Sequence, residues 1–575
     1  MKNRNILTIL LVLTIIFTIM GGSLAYFTWQ TSEAQKTNVT FTVEKQFSCS
    51  ADGGGNITGA NFAPTDSCTG SYALKRTIKS MPQITGTKTI YMDLWLDINE
   101  IGTGLTNSNN LKYALTTSST SCTTGVVSSG TFNGATKNSE ILLLSGHEYT
   151  KSITDTYYLY IWLDSAETST ETMNQSFNVS LNGKCTDDTQ ASSPDLDDGL
   201  IPVVVTGNGQ AMTINKDYDN WYSYDNKQWA NAVMVTSNSR ANYKNTSGVF
   251  IPEDDILAYY VWIPRYKYKI WTTTTSSEGS EQTIDIIFED KTTPKSTGTT
   301  IGSYRTHPAF TFGDTELNGI WVGKFETTGD ATTPTVKPNL QSLRSQKVSV
   351  QFATAQKFGT STYGSTSKID AHMMKNSEWG AVAYLSHSKY GVNREIYINN
   401  SSGFYTGRSG GTTDANSSTN GTYTWDGKTT SGSYASDRTL GTKASTTGNI
   451  TGVYDMSGGV GEYLMGYYSG ASTTWGASSD SNYAGFSSKP DSKYYDDYTT
   501  TNTLTACDGG ICYGHALSET AGWYSDYAIF VNSSNPWFVR GGHYYSVTNA
   551  GAFYSHYYNG GAGSNGSFRL VLSAA

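Results

Sequence analysis

Gly452-Val453-Tyr454-Asp455-Met456-Ser457-Gly458-Gly459-Val460-Gly461-Glu462-Tyr463 is the stretch on which the reading of this chain turns. Upstream of it stands Glu378-Trp379, and downstream stand Arg540-Gly541-Gly542 and then Phe568-Arg569. Trp379, Val382, Ala383 and Leu385 recur at helical spacing, which predicts a helix over about 376–388 with Gly391 available to stop it. Between the last two motifs, residues 543–567 carry His543, Tyr544, Tyr545, Ser546, Thr548, Asn549, Tyr554, Ser555, His556, Tyr557, Tyr558, Asn559, Ser564, Asn565 and Ser567, separated by Gly, Ala and single apolar residues. No Asp, Glu, Lys or Arg interrupts them. Tyrosine offers large, rigid contact area at low entropic cost, and Ser, Asn and Gly add adaptable hydrogen bonding, a mixture that antibody binding loops also use. The interval therefore reads as a recognition surface. Trp537, Phe538 and Phe553 are expected to anchor it in the core, and Arg540 and Arg569 to satisfy buried carbonyls or a carboxylate such as Glu462.

In this order the four motifs resemble the landmarks of formylglycine-generating-enzyme-like (sulfatase-modifying-factor-like) domains of the C-type-lectin fold. The resemblance implies a structural role for Trp379, Asp455, Glu462, Trp537, Arg540, Gly541, Gly542, Phe568 and Arg569. That family has an oxidase branch, which holds copper through two cysteines between its Arg-Gly-Gly and its final Phe-Arg, as soft thiolate ligands. Here that interval holds no cysteine. Cys507 and Cys512 precede Arg540 and flank Asp508-Gly509-Gly510, a turn suited to closing a small disulfide loop. A non-enzyme is the expectation, and a copper-dependent formylglycine-generating oxidase is the rival.

The codon of Asn is two adenines and a pyrimidine, and replacing one adenine gives Tyr, His, Asp, Ser, Thr or Ile. Every polar residue of 543–567 is Asn or belongs to that set. In this the interval resembles the variable region of diversity-generating retroelement target proteins, whose adenine-specific mutagenesis rewrites a binding face displayed on a C-type-lectin fold. The resemblance implies that Val547, Ala550, Gly551, Ala552, Phe553 and Phe568 form the fixed scaffold. Related domains bind calcium through the segment holding Asp455, Val460 and Glu462, with hard oxygen ligands. Gly459 stands where the family pattern has Asn, one side-chain oxygen fewer, so calcium is the only cofactor to weigh. No other metal is expected, because zinc needs paired Cys/His spacing and the histidines are scattered. His515, Ser518 and Glu519 are triad residue types, but adjacency in sequence is not the three-point geometry of nucleophilic catalysis.

Further outward, the 575 residues include 40 Tyr, 13 Trp and 58 Gly, which suits short strands and polar turns and predicts a β-rich α+β protein. Charged residues are 15% and the net charge is −9, which argues against a nucleic-acid partner. The densest basic stretch, Arg265-Tyr266-Lys267-Tyr268-Lys269, alternates with aromatics and reads as the outward face of one strand. Lys2 and Arg4 precede an apolar run from Ile6 to Met20 and then Gly21-Gly22-Ser23-Leu24-Ala25. This is a signal peptide over 1–25 with removal after Ala25, and an uncleaved membrane anchor is the alternative. The expected location is secreted or cell-surface.

Residues 26–185 read as strands at 38–43, 89–98, 156–163 and 177–181, with apolar alternation over Ile90-Tyr91-Met92-Asp93-Leu94-Trp95-Leu96-Asp97 leaving the opposite face for solvent or an edge. A jelly-roll-like β-sandwich is expected. The sequence from Gly21 to Thr28, leading into a strand, resembles the start of TasA/camelysin-type exported matrix proteins, which implies a fibre subunit as a further alternative and a homopolymer through this domain. Six cysteines suit export, and nearest-neighbour pairing gives Cys49–Cys68, Cys122–Cys185 and Cys507–Cys512. A polar linker follows at 186–199, then a β-rich lead-in at 200–258 and a C-type-lectin-fold domain at 259–575 with its variable region at 543–567. A second helix is expected over 348–358, and 401–449 reads as a long irregular excursion. The expected partner is a protein or glycan on another surface.

Overall fold

A computed structural model describes residues 27–30, 47–52, 56–60, 64–70, 72–84, 89–107, 109–166, 175–187, 191–218, 221–270, 281–298, 303–366, 368–417, 422–428, 434–468, 484–498 and 512–574. The predicted signal segment and the strand expected at 38–43 lie outside them. The architecture is mostly β with few helices, a β-rich α+β class. Among the described residues no helix is long and apolar enough to cross a membrane. The chain divides into two compact units, one of Met1–Gln190 with Thr292–Thr297 and one of Ala191–Lys291 with Gly298–Ala575.

In the first unit the strands are β1 (Phe27–Gln30), β2 (Phe47–Asp52), β3 (Asn56–Ala60), β4 (Leu74–Ile84), β5 (Ile90–Ile101), β6 (Leu111–Thr116), β7 (Val126–Thr131), β8 (Glu140–Tyr149), β9 (Asp155–Leu163) and β10 (Ser176–Asp187). They form two antiparallel sheets, β1-β10-β5-β8 with β3 also on β10, and β2-β4-β9-β6-β7. Ile90, Met92, Leu94, Leu96 and Ile98 of β5 meet Ile78, Leu115, Leu159 and Ile161 of the other sheet in one core, which makes the unit a sandwich. The alternation is real, but the opposite face of β5 is not left to solvent: Tyr91, Asp93 and Trp95 are buried as well. Asp93 accepts a hydrogen bond from the Gly146 amide at 2.7 Å, so its burial is compensated.

The disulfide pairing departs from nearest-neighbour order. Cys68 is bonded to Cys122 across 54 residues of sequence, which excludes both Cys49–Cys68 and Cys122–Cys185. Sheet pairing rather than chain proximity sets which thiols meet: β4 and β6 both pair with β9, which brings the segments carrying these two cysteines together. Cys185 and Cys512 are disulfide-bonded too, and Cys507 lies outside the described residues.

The second unit begins with β11 (Ile201–Val205), β12 (Ala211–Thr213), β13 (Asn231–Val235), β14 (Phe250–Ile251), β15 (Ile256–Pro264), β16 (Tyr266–Lys269), β17 (Asp285–Phe288), β18 (Arg305–Thr306), β19 (Gly319–Gly323) and β20 (Ile369–Met373). It ends with β21 (Gly461–Tyr468), β22 (Asp496–Tyr498), β23 (Trp537–Gly541), β24 (Gly551–Tyr558), β25 (Gly566–Phe568) and β26 (Leu570–Ala574). An antiparallel eight-stranded sheet runs β14-β12-β11-β13-β15-β19-β26-β20, so the segment 200–258 builds half of the sheet that the last strand completes. Its central strand β15 is buried at every residue but Leu257, which explains an unbroken apolar run in place of alternation. Among the described residues the two longest helices are α1 (Val348–Gln356) and α2 (Asn376–Ser386), and every residue of α2 is buried.

The basic stretch 265–269 is an inward element, not an outward one. β16 packs between β17 and β18, and Arg265 is fully buried against Glu289 (3.0 Å) and Glu316 (2.7 Å). Two carboxylates facing one guanidinium make that burial tolerable.

Candidate functional site

A second sheet of the same unit carries the interval 543–567. Its order is β22-β21-β23-β24, with β25 also paired to β21. Tyr463 of β21 lies opposite Val539 of β23, which lies opposite His556 of β24, and the adjacent row is Glu462, Arg540 and Ser555. Neighbouring residues on a strand point to opposite faces, so the first row defines one face and the second row the other. Along β24, Tyr554, His556 and Tyr558 share the first face, and Phe553, Ser555 and Tyr557 share the second.

The second face is the inner one. Arg540 is fully buried and donates to the carbonyls of Tyr554 (2.6 Å), His515 (3.0 Å) and Ala516 (2.6 Å). Arg569 forks onto Glu462 (3.1 and 2.5 Å) and reaches the carbonyls of Gly323 (2.8 Å) and Tyr454 (2.9 Å). Burial pulls Glu462 above the usual carboxylate range, and the Arg569 guanidinium opposes it. Trp379 of α2 donates its indole N–H to the Ala552 carbonyl at 2.7 Å, which ties the helix to β24. Gly541 and Gly542 both sit at positive φ, and a Cβ on Gly542 would stand 3.0 Å from Ala550. Phe538 is buried on this side too, and Trp537 and Phe568, which register places in the first row, are buried as well.

The first face is aromatic and open beside Tyr558, while Tyr463, Val539 and Tyr554 of the same face are buried. Tyr545 is 48% and Tyr558 41% exposed, and Thr548, Asn549 and Ser564 are exposed too. Tyr544, Ser546, His556, Tyr557, Asn559 and Asn565 are half-buried. Tyr545 stacks on His543 at 5.3 Å and meets Tyr544 edge-on at 4.9 Å, and His556 lies 5.4 Å from Tyr558. Four of the fifteen candidates are buried, which corrects the expectation that the whole interval is contact surface: His543, Tyr554, Ser555 and Ser567. Strand periodicity is the reason for Ser555, whose hydroxyl donates inward to the Ile529 carbonyl at 3.2 Å. It also turns Tyr557 toward the apolar cluster of Tyr498, Leu517 and Phe538. His543 accepts from the Gly461 amide at 3.3 Å, and burial lowers its pKa to about 4, helped by His556 nearby.

Residues distant in sequence join the face without any sequence signal to announce them. Tyr527, 42% exposed, stacks on His556 at 5.5 Å, and Phe404 meets Tyr544 edge-on at 5.2 Å. Tyr463 and Val539 enter through strand register alone.

The remaining candidates are engaged elsewhere. Asp455 accepts from the Asn399 side chain and the Gly407 amide, both at 2.9 Å, and Glu462 is occupied by Arg569. Among the described residues no group of three or more His, Cys, Asp or Glu side chains is arranged to hold a metal ion. His515 pairs with the Tyr498 hydroxyl at 2.6 Å, and Glu519 accepts from Tyr268 (2.8 Å), Tyr384 (2.9 Å) and the Gly514 amide (2.6 Å).

No family model matches the chain, and no curated protein does. Among solved structures, 24% of the chain is similar to 73% of the K1 cleaved adhesin domain of Lys-gingipain from Porphyromonas gingivalis, at 10% identity and a TM-score of 0.11, a likeness too slight to carry an argument.

Proposed function

We propose that this chain is an exported or cell-surface binding protein whose C-terminal domain has the C-type-lectin fold and recognises a ligand on a cell, phage or host surface through the face built by 543–567. Recognition works by burying tyrosine rings and by neutral hydrogen bonds at their edges. One observation carries the reading. Of the residues expected to be fixed, Ala550, Gly551, Ala552, Phe553 and Phe568 are buried and Val547 is half-buried, and most of those expected to be exchangeable hold the surface around Tyr545 and Tyr558. Such a partition lets side chains be replaced without disturbing the scaffold, which is what diversification by a retroelement requires.

The reading makes a population-level claim. Alleles of this gene should differ mainly at Tyr544, Tyr545, Ser546, Thr548, Asn549, His556, Tyr558, Asn559, Ser564 and Asn565. Sequencing them checks it, and differences spread evenly along the chain would sink it. The oxidase alternative needs free thiolates, and Cys512 is committed to a disulfide.

A further inference from the structure

Within the open face lies a cavity of about 190 Å³. The rings of Tyr463 and Tyr558 wall it, edge to face at 6.2 Å, Val539 contributes to its lining, and residues 563–566 form its rim. Two features set it apart from the rest of the face. Tyr463 and Val539 lie on β21 and β23, outside the exchangeable interval, and both are almost fully buried in the sheet. The base of the cavity is thus constant, and only its rim, Tyr558, Ser564 and Asn565, belongs to residues that diversification reaches.

The lining also selects a chemistry. A dry cavity of about 150 Å³ suffices for a benzene-sized guest, so this one takes a single ring or branched aliphatic group. A sugar ring of that size needs several free hydrogen-bonding groups to replace the water it loses. Here the Tyr463 hydroxyl is already donated to the Gly561 carbonyl at 3.2 Å and the Asn565 amide to the Tyr545 hydroxyl at 3.4 Å, which leaves mainly the exposed hydroxyls of Tyr558 and Ser564 for a guest. None of the lining residues is charged, although the chain as a whole carries −9. Charge matching therefore favours a neutral apolar group over an anionic or cationic one.

We infer that the ligand is a protein that seats one uncharged aromatic or aliphatic side chain in this cavity, and that successive alleles keep this anchor while the rim changes which surroundings of the side chain are accepted. The inference rests on the binding role proposed above and narrows it to a protein partner with a shared anchoring group. It also gives the tyrosine-rich rim the part that surrounding residues play at protein interfaces, excluding water from a central buried contact.

The test uses p-cresol, the tyrosine side chain in isolation, and a methyl glucoside as the sugar counterpart, each titrated into the full chain by ligand-observed NMR. Gly563→Trp fills the mouth without disturbing the fold, because a Cβ there meets nothing within 4 Å. Tyr72→Ala removes an exposed ring of the first unit and controls for non-specific stacking on surface tyrosine. The expected result is saturable millimolar binding of p-cresol, weakened about tenfold or more in Gly563→Trp, unchanged in Tyr72→Ala, with no glucoside binding. Absence of p-cresol binding, or binding indifferent to Gly563→Trp, overturns the inference, and glucoside binding at the cavity replaces it with a glycan ligand. Uniformly distributed allelic variation would instead strike the diversified-face reading and leave the fragment result standing.

Discussion

Val547 sits at φ +54°, in the left-handed region that a β-branched side chain tolerates poorly. It opens the short turn 547–549 that leads into β24, where the Ala550 amide donates back to its carbonyl at 3.2 Å. Val547→Asn should raise stability by about 1 kcal/mol, read as a shift in urea midpoint at constant slope. His543 carries a pH signature. Below about pH 6.5 the unfolded chain takes up a proton that the folded chain refuses until about pH 4, so this residue lowers stability as pH falls across that window. From pH 7 to pH 4 the unmodified chain should lose roughly 2–3 kcal/mol more than His543→Asn does, a difference measurable by parallel urea titrations. At this scale the sequence announced the roles of Arg540 and Arg569 well. A cation in a motif of Gly and Phe has few reasons to be there except buried acceptors, and both guanidiniums found them. It misplaced Arg265 and Lys267 because alternation with tyrosine says which residues share a face and not which face is outside.

At the scale of one element, β24 shows what composition hides. In an amphipathic strand the apolar residues mark the inner face, but Tyr554 to Tyr558 reads Tyr-Ser-His-Tyr-Tyr, where neither parity is apolar. Only the register Val539 opposite His556 and Arg540 opposite Ser555 assigns the faces. A pair of substitutions tests the assignment. Ser555→Tyr forces a ring into the packed space beside Arg540 and Ile529 and should cost about 2–3 kcal/mol. His556→Tyr, one residue on, points into the open and should stay within about 0.5 kcal/mol. Equal effects at the two positions would mean that the strand does not separate an inner from an outer row. Both helices were placed within about two residues at each end, α2 from its apolar spacing.

For the molecule as a whole, sequence reached the β-rich class and the sandwich, because aromatic and β-branched runs broken by Gly, Ser and Asn admit little else. The disulfide partners were beyond it, since Cys68 and Cys122 meet only after β4, β9 and β6 have paired. Closing a loop of 54 residues, this bond should contribute roughly 4 kcal/mol to the first unit. Replacing both cysteines by serine should speed hydrogen exchange in β4, β6 and β9 and leave β11 to β15 unchanged, as peptide-level mass spectrometry would report. Equal acceleration in both units would contradict their separation.

Strand β26 follows the exchangeable interval and lies between β19 and β20, so the eight-stranded sheet is open at that place until residues 570–574 arrive. A message that stops or shifts frame anywhere in 543–567 yields a polypeptide with a gap in its main sheet and the apolar edges of two strands bare. Under the proposed diversification, substitutions within 543–567 leave that sheet whole, whereas a stop or frameshift there removes the strand that joins its two parts, so the fold separates altered letters from broken words.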